Sequence, residues 1–180
     1  MKIKSIRLGL RWLIPVLWLG QCLAASADTV YLSNGKSIQA KNIQWRESAQ
    51  EYRVETTDNL ILTFPKNQIA RLDVDKPADY DKAVQLTSAG QLDAAIPILE
   101  GLIGSYKMRI WDNKARELVA QIYLQKKDSK KAISILEDYF RTVSVADVPV
   151  TLRRMFWQAL MQADKFSTLK KELDEVVATG

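Results

Sequence analysis

The chain has 180 residues and a formal net charge of +5, and the basic excess lies at its N-terminus. Residues 1–27 hold four basic residues and no acidic one, so residues 28–180 carry 22 basic and 21 acidic side chains. A nearly neutral surface gives little long-range attraction to nucleic acid or to anionic lipid.

Two side-chain types that support much of enzyme chemistry are missing from most of the chain. The sequence has no histidine, and its single cysteine is Cys22. Beyond that position there is therefore no thiolate nucleophile, no disulfide, no Ser-His-Asp triad and no ordinary zinc site. Catalysis would have to come from carboxylates, lysine, tyrosine or serine. We expect a protein that is not an enzyme and has no cofactor and no metal.

The first 27 residues have the three parts of a secretory signal peptide. A basic start precedes the apolar run of residues 12–20, and Ala25-Ser26-Ala27 supplies the small-x-small cleavage pattern. The run is shorter than the roughly 20 residues of a membrane-spanning helix, and Pro15 interrupts it. We predict cleavage after Ala27. One alternative is lipidation at Cys22, although Gln21 stands where a lipobox has a small residue. The other is that the segment is retained as a membrane anchor.

Residues 28–76 alternate apolar and polar side chains with period two, which predicts β-strands. Asn34-Gly35 gives a strong two-residue hairpin signal, Asp58-Asn59 marks a second turn, and Pro65 ends a strand. Strands are expected at residues 29–33, 36–43, 51–57, 60–64 and 69–74. The prediction is a small antiparallel β-barrel or curled sheet that packs on the C-terminal part of the chain, because so short a module is marginally stable alone.

This β pattern resembles the SH3-like and Sm-like modules. The resemblance lies in the order strand, Asn-Gly turn, long strand, hairpin and short last strand within residues 30–72. An Sm-like module implies RNA binding. The export signal opposes that function, as do the seven acidic and seven basic residues of this region. We therefore expect no nucleic-acid partner.

Residues 77–180 show helical periodicity and an internal repeat. The segments AAIPILEGL and KAISILEDY lie 37 residues apart, and in the same step Ala83 matches Ala120 and Gly90 matches Lys127. A fainter third copy places Asp164 36 residues after Asp128. A period of this length, made of two helices each time, is typical of a helical-hairpin solenoid.

The repeat resembles the tetratricopeptide (TPR) family. Ala83 and Ala120 lie where the first helix of that family lets its partner approach, and Ala95 and Ala132 occupy the small position of the second helix. The period is two or three residues longer than usual, and the proline between repeats is missing. The resemblance implies about three stacked helix pairs. The predicted fold class is therefore α+β, with a β module at 28–76 and a TPR-like helical array at 77–180.

In TPR proteins the first helices of the pairs line a groove where peptides or partner helices dock. We carry that role onto matching positions in this chain. The candidate groove residues are Tyr80, Val84, Thr87, Ser88, Lys114, Glu117, Gln121, Leu124, Gln125, Arg153, Trp157 and Leu160. The predicted function is a non-catalytic adaptor of the periplasm or cell surface that binds an envelope protein or peptide. The oligomeric state stays open, and no membrane span remains after cleavage.

Two other interpretations remain. Asp73, Asp75, Asp79 and Asp81 cluster along the sequence but lack the glycine and terminal glutamate of a calcium loop, and Asp79 suits a helix N-cap. A carboxylate-dependent hydrolase or a carbohydrate-binding protein acting on envelope glycan would not need histidine. The candidate catalytic carboxylate pairs of such a hydrolase are Asp112 with Glu117 and Glu137 with Asp138. A deep cleft with carboxylates about 5–10 Å apart would favour the hydrolase.

Overall fold

The computed structural model describes residues 28–179, which form five strands followed by six helices. The predicted α+β class, a curled sheet followed by a helical array, is confirmed, and the sheet is open rather than closed into a barrel. The predicted signal peptide and Cys22 lie outside the described residues. The strands are β1 (Asp28–Leu32), β2 (Ser37–Arg46), β3 (Glu51–Thr56), β4 (Ile61–Pro65) and β5 (Ile69–Asp73). The helices are α1 (Ala78–Ser88), α2 (Leu92–Ser105), α3 (Ile110–Gln125), α4 (Ser129–Phe140), α5 (Val150–Gln162) and α6 (Phe166–Thr179).

The sheet is antiparallel throughout, in the order β4-β3-β2-β1-β5. Val30, Ile43 and Val54 are fully buried and form the centre of its core. The period-two alternation predicts this for Val30 and Val54, whereas Ile43 joins Ala40 on the buried face because the register of β2 shifts between Ala40 and Asn42. Within the described part of the chain, β5 pairs only with β1, through Val30 opposite Leu72. The other side of β5 is therefore a free edge of the sheet.

The hairpin turns differ from the predicted two-residue form. The amide of Gly35 donates to the carbonyl of Leu32, and only Gly35 in this turn has positive φ, at 83°. A type I′ turn would need positive φ at both central residues, so this loop is the three-residue type with one left-handed position. Asn59, with φ of 63°, takes the same place between β3 and β4.

The helices form three hairpins, α1–α2, α3–α4 and α5–α6, and each hairpin packs on the next. The alanines singled out by the repeat are all fully buried: Ala83, Ala95, Ala120 and Ala132. Each lets a neighbouring helix approach closely, which is the packing that the repeat predicts. Larger side chains such as Leu99 and Leu136 fill the space between the hairpins.

The turns within the three hairpins share one backbone geometry at a strict spacing of 37 residues. Gly90, Lys127 and Asp164 each have positive φ, at 74°, 58° and 54°. The amide that follows each of them donates to a carbonyl five residues back, at Leu86, Tyr123 and Leu160 respectively. These are the hydrogen bonds of the Schellman motif. Asp164 therefore corresponds to Lys127, which corrects the expected match to Asp128 by one residue.

The start of α1 also differs from the expectation. Pro77 is the N-cap, and Asp79 and Asp81 lie in the first turn without capping it. Acidic side chains there still favour the helix through its dipole. An aspartate does act as N-cap at α4, where the Asp128 carboxylate accepts a hydrogen bond from the Lys131 amide.

The β module packs against the helical array through hydrogen bonds from two aromatic side chains, the buried Tyr52 and the partly buried Trp111. The Tyr52 hydroxyl donates to the Met108 carbonyl at 2.8 Å, and the Trp111 indole N–H donates to the Val74 carbonyl at 2.8 Å. Trp111 also lies against Tyr80, with ring centroids 5.2 Å apart. The short β module thus gains its second layer from α1 and α3, as its size requires.

Candidate partner-binding groove

An open groove runs between α3 and α5, the first helices of the second and third hairpins. It encloses about 700 Å³. Met155, Trp157 and Met161 form its apolar part, and Met161 is 49% exposed. Its polar part consists of Glu117, Thr151, Arg154 and Gln158. Flexible methionines beside an aromatic ring suit adaptable contacts with a partner.

The groove continues along one face of α3 towards α1. Lys114, Gln121 and Gln125 are exposed, and their spacing of three or four residues places them on the same helix face as Glu117. The Lys114 ammonium lies 3.8 Å from the Glu117 carboxylate. Burial, and then the negative charge of Glu117, raises the pKa of Tyr80 on α1. Residues of α1, α3 and α5 are therefore neighbours across this surface.

The predicted residues of α1 contribute less to the open surface than expected. Tyr80 is half-buried against Trp111, and the Thr87 hydroxyl donates to the Ala83 carbonyl at 2.8 Å. Both side chains therefore already have partners inside the fold. Ser88 and Val84 are exposed on α1.

Three predicted groove residues lie elsewhere. Leu124 and Leu160 are buried in the core of the helical array. The Arg153 guanidinium donates to the Val145 carbonyl, and its side chain lines a small cavity with Glu172 and Glu175 of α6. The prediction is wrong for these three residues, which do not belong to the exposed groove.

The misplacement of Arg153 follows from the one-residue register error in the third repeat. A step of 36 residues from Glu117 reaches Arg153, whereas the observed step of 37 reaches Arg154. One residue turns a helix by about 100°, which is enough to change the face. The same step of 37 from Lys114, Gln121 and Leu124 gives the groove residues Thr151, Gln158 and Met161. The sequence does not predict these three residues, because residue identity pairs the turn residue Asp164 with Asp128 and so gives a step of 36.

A buried charged network lies at the start of α3, away from the groove. Asp112 is 1% exposed, and its Oδ2 accepts from the Met108 amide at 2.9 Å. Burial raises the pKa of Asp112 to about 6, and the charge of Arg116 partly opposes this rise. Arg116, 3% exposed, donates to the Ile135 carbonyl and lies 3.5 Å from the Asp138 carboxylate. Because no substrate reaches so buried an acid, Asp112 and Glu117 do not form an accessible catalytic pair.

The Asp112 pKa makes stability depend on pH. An aspartate in an unfolded chain has a pKa of about 4. Between about pH 4 and 6 the folded protein therefore keeps a proton on Asp112 that the unfolded chain has lost. The folded protein becomes less stable as the pH rises through this range. Two pKa units correspond to about 3 kcal/mol. We expect the free energy of unfolding of wild type, minus that of Asp112→Asn, to fall by about that amount from about pH 4 to 7. Urea unfolding across this range measures it, and a constant difference would contradict the burial effect.

The acidic run at the end of the β module is dispersed in the structure. Across residues 28–179, no group of three or more acidic side chains is gathered as a metal site would require. The Asp28 carboxylate accepts from the Asp75 amide at 3.0 Å and so joins the first strand to the link before α1. Asp79 and Asp81 lie in the first turn of α1.

Over the same described range, none of the helices has the length and apolar character needed to cross a bilayer. No family model matches the chain, and no curated protein matches it either. One solved structure shows a partial likeness, the solution NMR structure of a "Putative Lipoprotein" from Pseudomonas syringae. It is 22% identical over 27% of this chain and 89% of that one, with a TM-score of 0.26.

Proposed function

We propose that this protein is an exported, non-catalytic adaptor that uses the α3–α5 groove to bind a protein partner of the cell envelope. The observation that carries the proposal is the groove itself: the exposed Met161 and the partly buried Met155 and Trp157 form an apolar strip, which Glu117 and Arg154 border. An apolar centre with a polar rim is the composition of protein-binding surfaces. The open shape suits an extended peptide or a helix better than a small substrate.

The envelope location rests on the sequence. Residues 1–27 have the basic start, apolar run and Ala-Ser-Ala ending of a signal peptide. The TPR-like repeat supports the adaptor function, since stacked hairpins generate a concave surface from their first helices. In that arrangement α1, α3 and α5 are the docking helices and α2 and α4 support them.

A pair of matched substitutions tests the groove. Met161→Glu places a charge in its apolar strip, and Val177→Glu places the same charge on α6, where the side chain is 82% exposed. The purified full-length wild type and both variants are used to capture partners from envelope extract of the producing organism. We expect Met161→Glu to lose the captured partner by about tenfold or more, because a buried unpaired charge at an interface costs binding energy. Val177→Glu should retain it.

A photo-crosslinking amino acid at Gln158 then locates the contact, with the same amino acid at Gly104 on α2 as control. We expect a crosslink to the captured partner from position 158 alone. Equal capture by wild type and both variants, or crosslinks from position 104 only, would show that the groove is not the docking surface.

A further inference from the structure

Helix α6 carries a stripe of apolar side chains that the fold does not cover. Its inner side packs on α5, through residues that include the half-buried Leu169, and on the short turn at Val145–Asp147. Phe166, Leu173 and Val177 lie outside this contact, and each is 40% exposed or more. The last repeat of a helical solenoid normally presents a polar outer face. Three large apolar side chains in this place therefore indicate a surface that binds another helix or molecule.

The apolar stripe runs straight along α6. Phe166, Lys170, Leu173 and Val177 are successively four, three and four residues apart, which places them within about 60° of one another around the helix. Helices that pair along their length have this spacing at their contact. Because the aliphatic stem of a lysine adds apolar surface, Lys170 does not interrupt the stripe.

Two side chains of opposite charge beside the stripe form no ion pair within residues 28–179. They are Lys170 and Asp174, which lies at the border of the stripe one helical turn further on. Lys171 and Glu175 have the same four-residue spacing and do pair, with 3.7 Å between the ammonium and the carboxylate. Lys170 and Asp174 are both exposed, so each can pair with a charge on another molecule.

A second copy of α6 that runs antiparallel to the first complements the apolar stripe. The midpoint of the stripe lies between Lys171 and Glu172. A two-fold axis through that point sets Phe166 of each copy at the level of Val177 of the other. The two Leu173 side chains then lie on either side of the axis, and the apolar side chains face one another along the whole stripe.

The same two-fold axis also complements the charges. It brings Lys170 of each copy to within one residue, about 1.5 Å along the helix, of Asp174 of the other copy. Two symmetric ion pairs therefore border the apolar contact on the same side. In a parallel arrangement lysine would face lysine and aspartate would face aspartate. The charges thus favour the antiparallel direction.

We propose that this protein forms a two-fold symmetric dimer in which α6 packs antiparallel on α6 of a second copy. The contact is isologous, since each copy contributes the same surface. A single pair of helices buries less area than a standard protein interface, so we expect a dissociation constant on the order of micromolar. The stripe does not include the α3–α5 groove, and the dimer does not depend on the function of the groove.

Sedimentation velocity of the purified full-length protein tests the dimer, over about 1 to 500 µM so that micromolar affinities are covered. We expect the mass to rise with concentration from one copy to two. Leu173→Glu should weaken the dimer by about tenfold or more, because it buries two unpaired charges beside the axis. Val177→Glu should also weaken it. The control Leu60→Glu makes the same change at an exposed leucine in the β3–β4 turn and should leave the dimer unchanged.

A charge exchange tests the antiparallel direction. Lys170→Glu alone and Asp174→Lys alone each set like charges against one another, and we expect each to weaken the dimer by about threefold to tenfold. The double variant Lys170→Glu with Asp174→Lys restores two opposite-charge pairs across the axis and should dimerise as wild type does. Met161→Glu, in the groove, should also dimerise as wild type does.

Four results would overturn the proposal. The first is a protein that stays monomeric over the whole concentration range. The second is a dimer that Leu173→Glu and Val177→Glu do not weaken, or that Leu60→Glu weakens equally. The third is a double charge variant that dimerises no better than the single ones. The last is a monomer that floats with vesicles of anionic phospholipid and loses this binding in Leu173→Glu, which would make a lipid surface the partner of the stripe.

Discussion

Replacing Arg116 by alanine is expected to lower the free energy of unfolding by about 3–5 kcal/mol. Arg116 is 3% exposed, donates to the Ile135 carbonyl at 2.8 Å and lies with its guanidinium over the Tyr139 ring at 5.4 Å. Its removal takes away this hydrogen bond and leaves the Asp112 carboxylate buried without a positive charge that opposes its desolvation. Urea unfolding at neutral pH gives the value.

Arg141→Ala is the matched control. Its guanidinium lies 3.7 Å from the Glu137 carboxylate on the exposed surface of the same hairpin, and surface pairs of this kind contribute about 0–1 kcal/mol. In the double variant Arg116→Ala with Asp112→Asn, part of the lost stability should return, because the uncompensated charge is gone. A loss below about 1 kcal/mol in Arg116→Ala would show that the network contributes little.

Phe156→Ala is the second substitution with a large expected effect, a loss of about 3–5 kcal/mol. Phe156 of α5 is 2% exposed, and its ring packs edge-on against Phe140 of α4 with centroids 4.8 Å apart. The substitution leaves a cavity at the contact between the second and third hairpins, and the removed atoms also lose their transfer free energy. Thermal and urea unfolding measure the change.

Phe166→Ala removes the same atoms from the first residue of α6, where the ring is 59% exposed. We expect a change within about 1 kcal/mol, because little apolar area returns to water and no cavity forms. Equal losses in the two variants would mean that the third hairpin does not pack on the second through Phe156.

The sequence predicts the secondary structure well because its two periodicities are distinct. Alternation at Tyr52, Val54 and Thr56 identifies β3, and Ala83 and Ala120 identify the close helix contacts before any coordinate is known. The third hairpin is predicted less accurately because Trp157 and Leu169 occupy the places of the alanines. Its register follows from backbone conformation at Asp164, which residue identity alone does not reveal.

The junction between the two regions is beyond such reasoning. Tyr52 and Met108 are 56 residues apart, and Trp111 and Val74 are 37 apart, so no local pattern relates them. Nothing in their spacing indicates that β5 remains an open edge facing α3. The contact between the sheet and the array therefore emerges only from the assembled fold, whereas half of the groove follows from the repeat.

Helix α6 is covered less tightly by its neighbours than the central helices of the array are. Between Phe166 and Ala178 no side chain of α6 is fully buried, whereas the central α3 and α4 each bury five residues or more. In a stack where each hairpin is held by its neighbours, local opening costs least at a loosely covered end. Fraying therefore begins at α6 and reaches α5 before the centre of the stack. A partner bound in the groove would hold α5 in place, and its binding would be coupled to the ordering of the C-terminal hairpin.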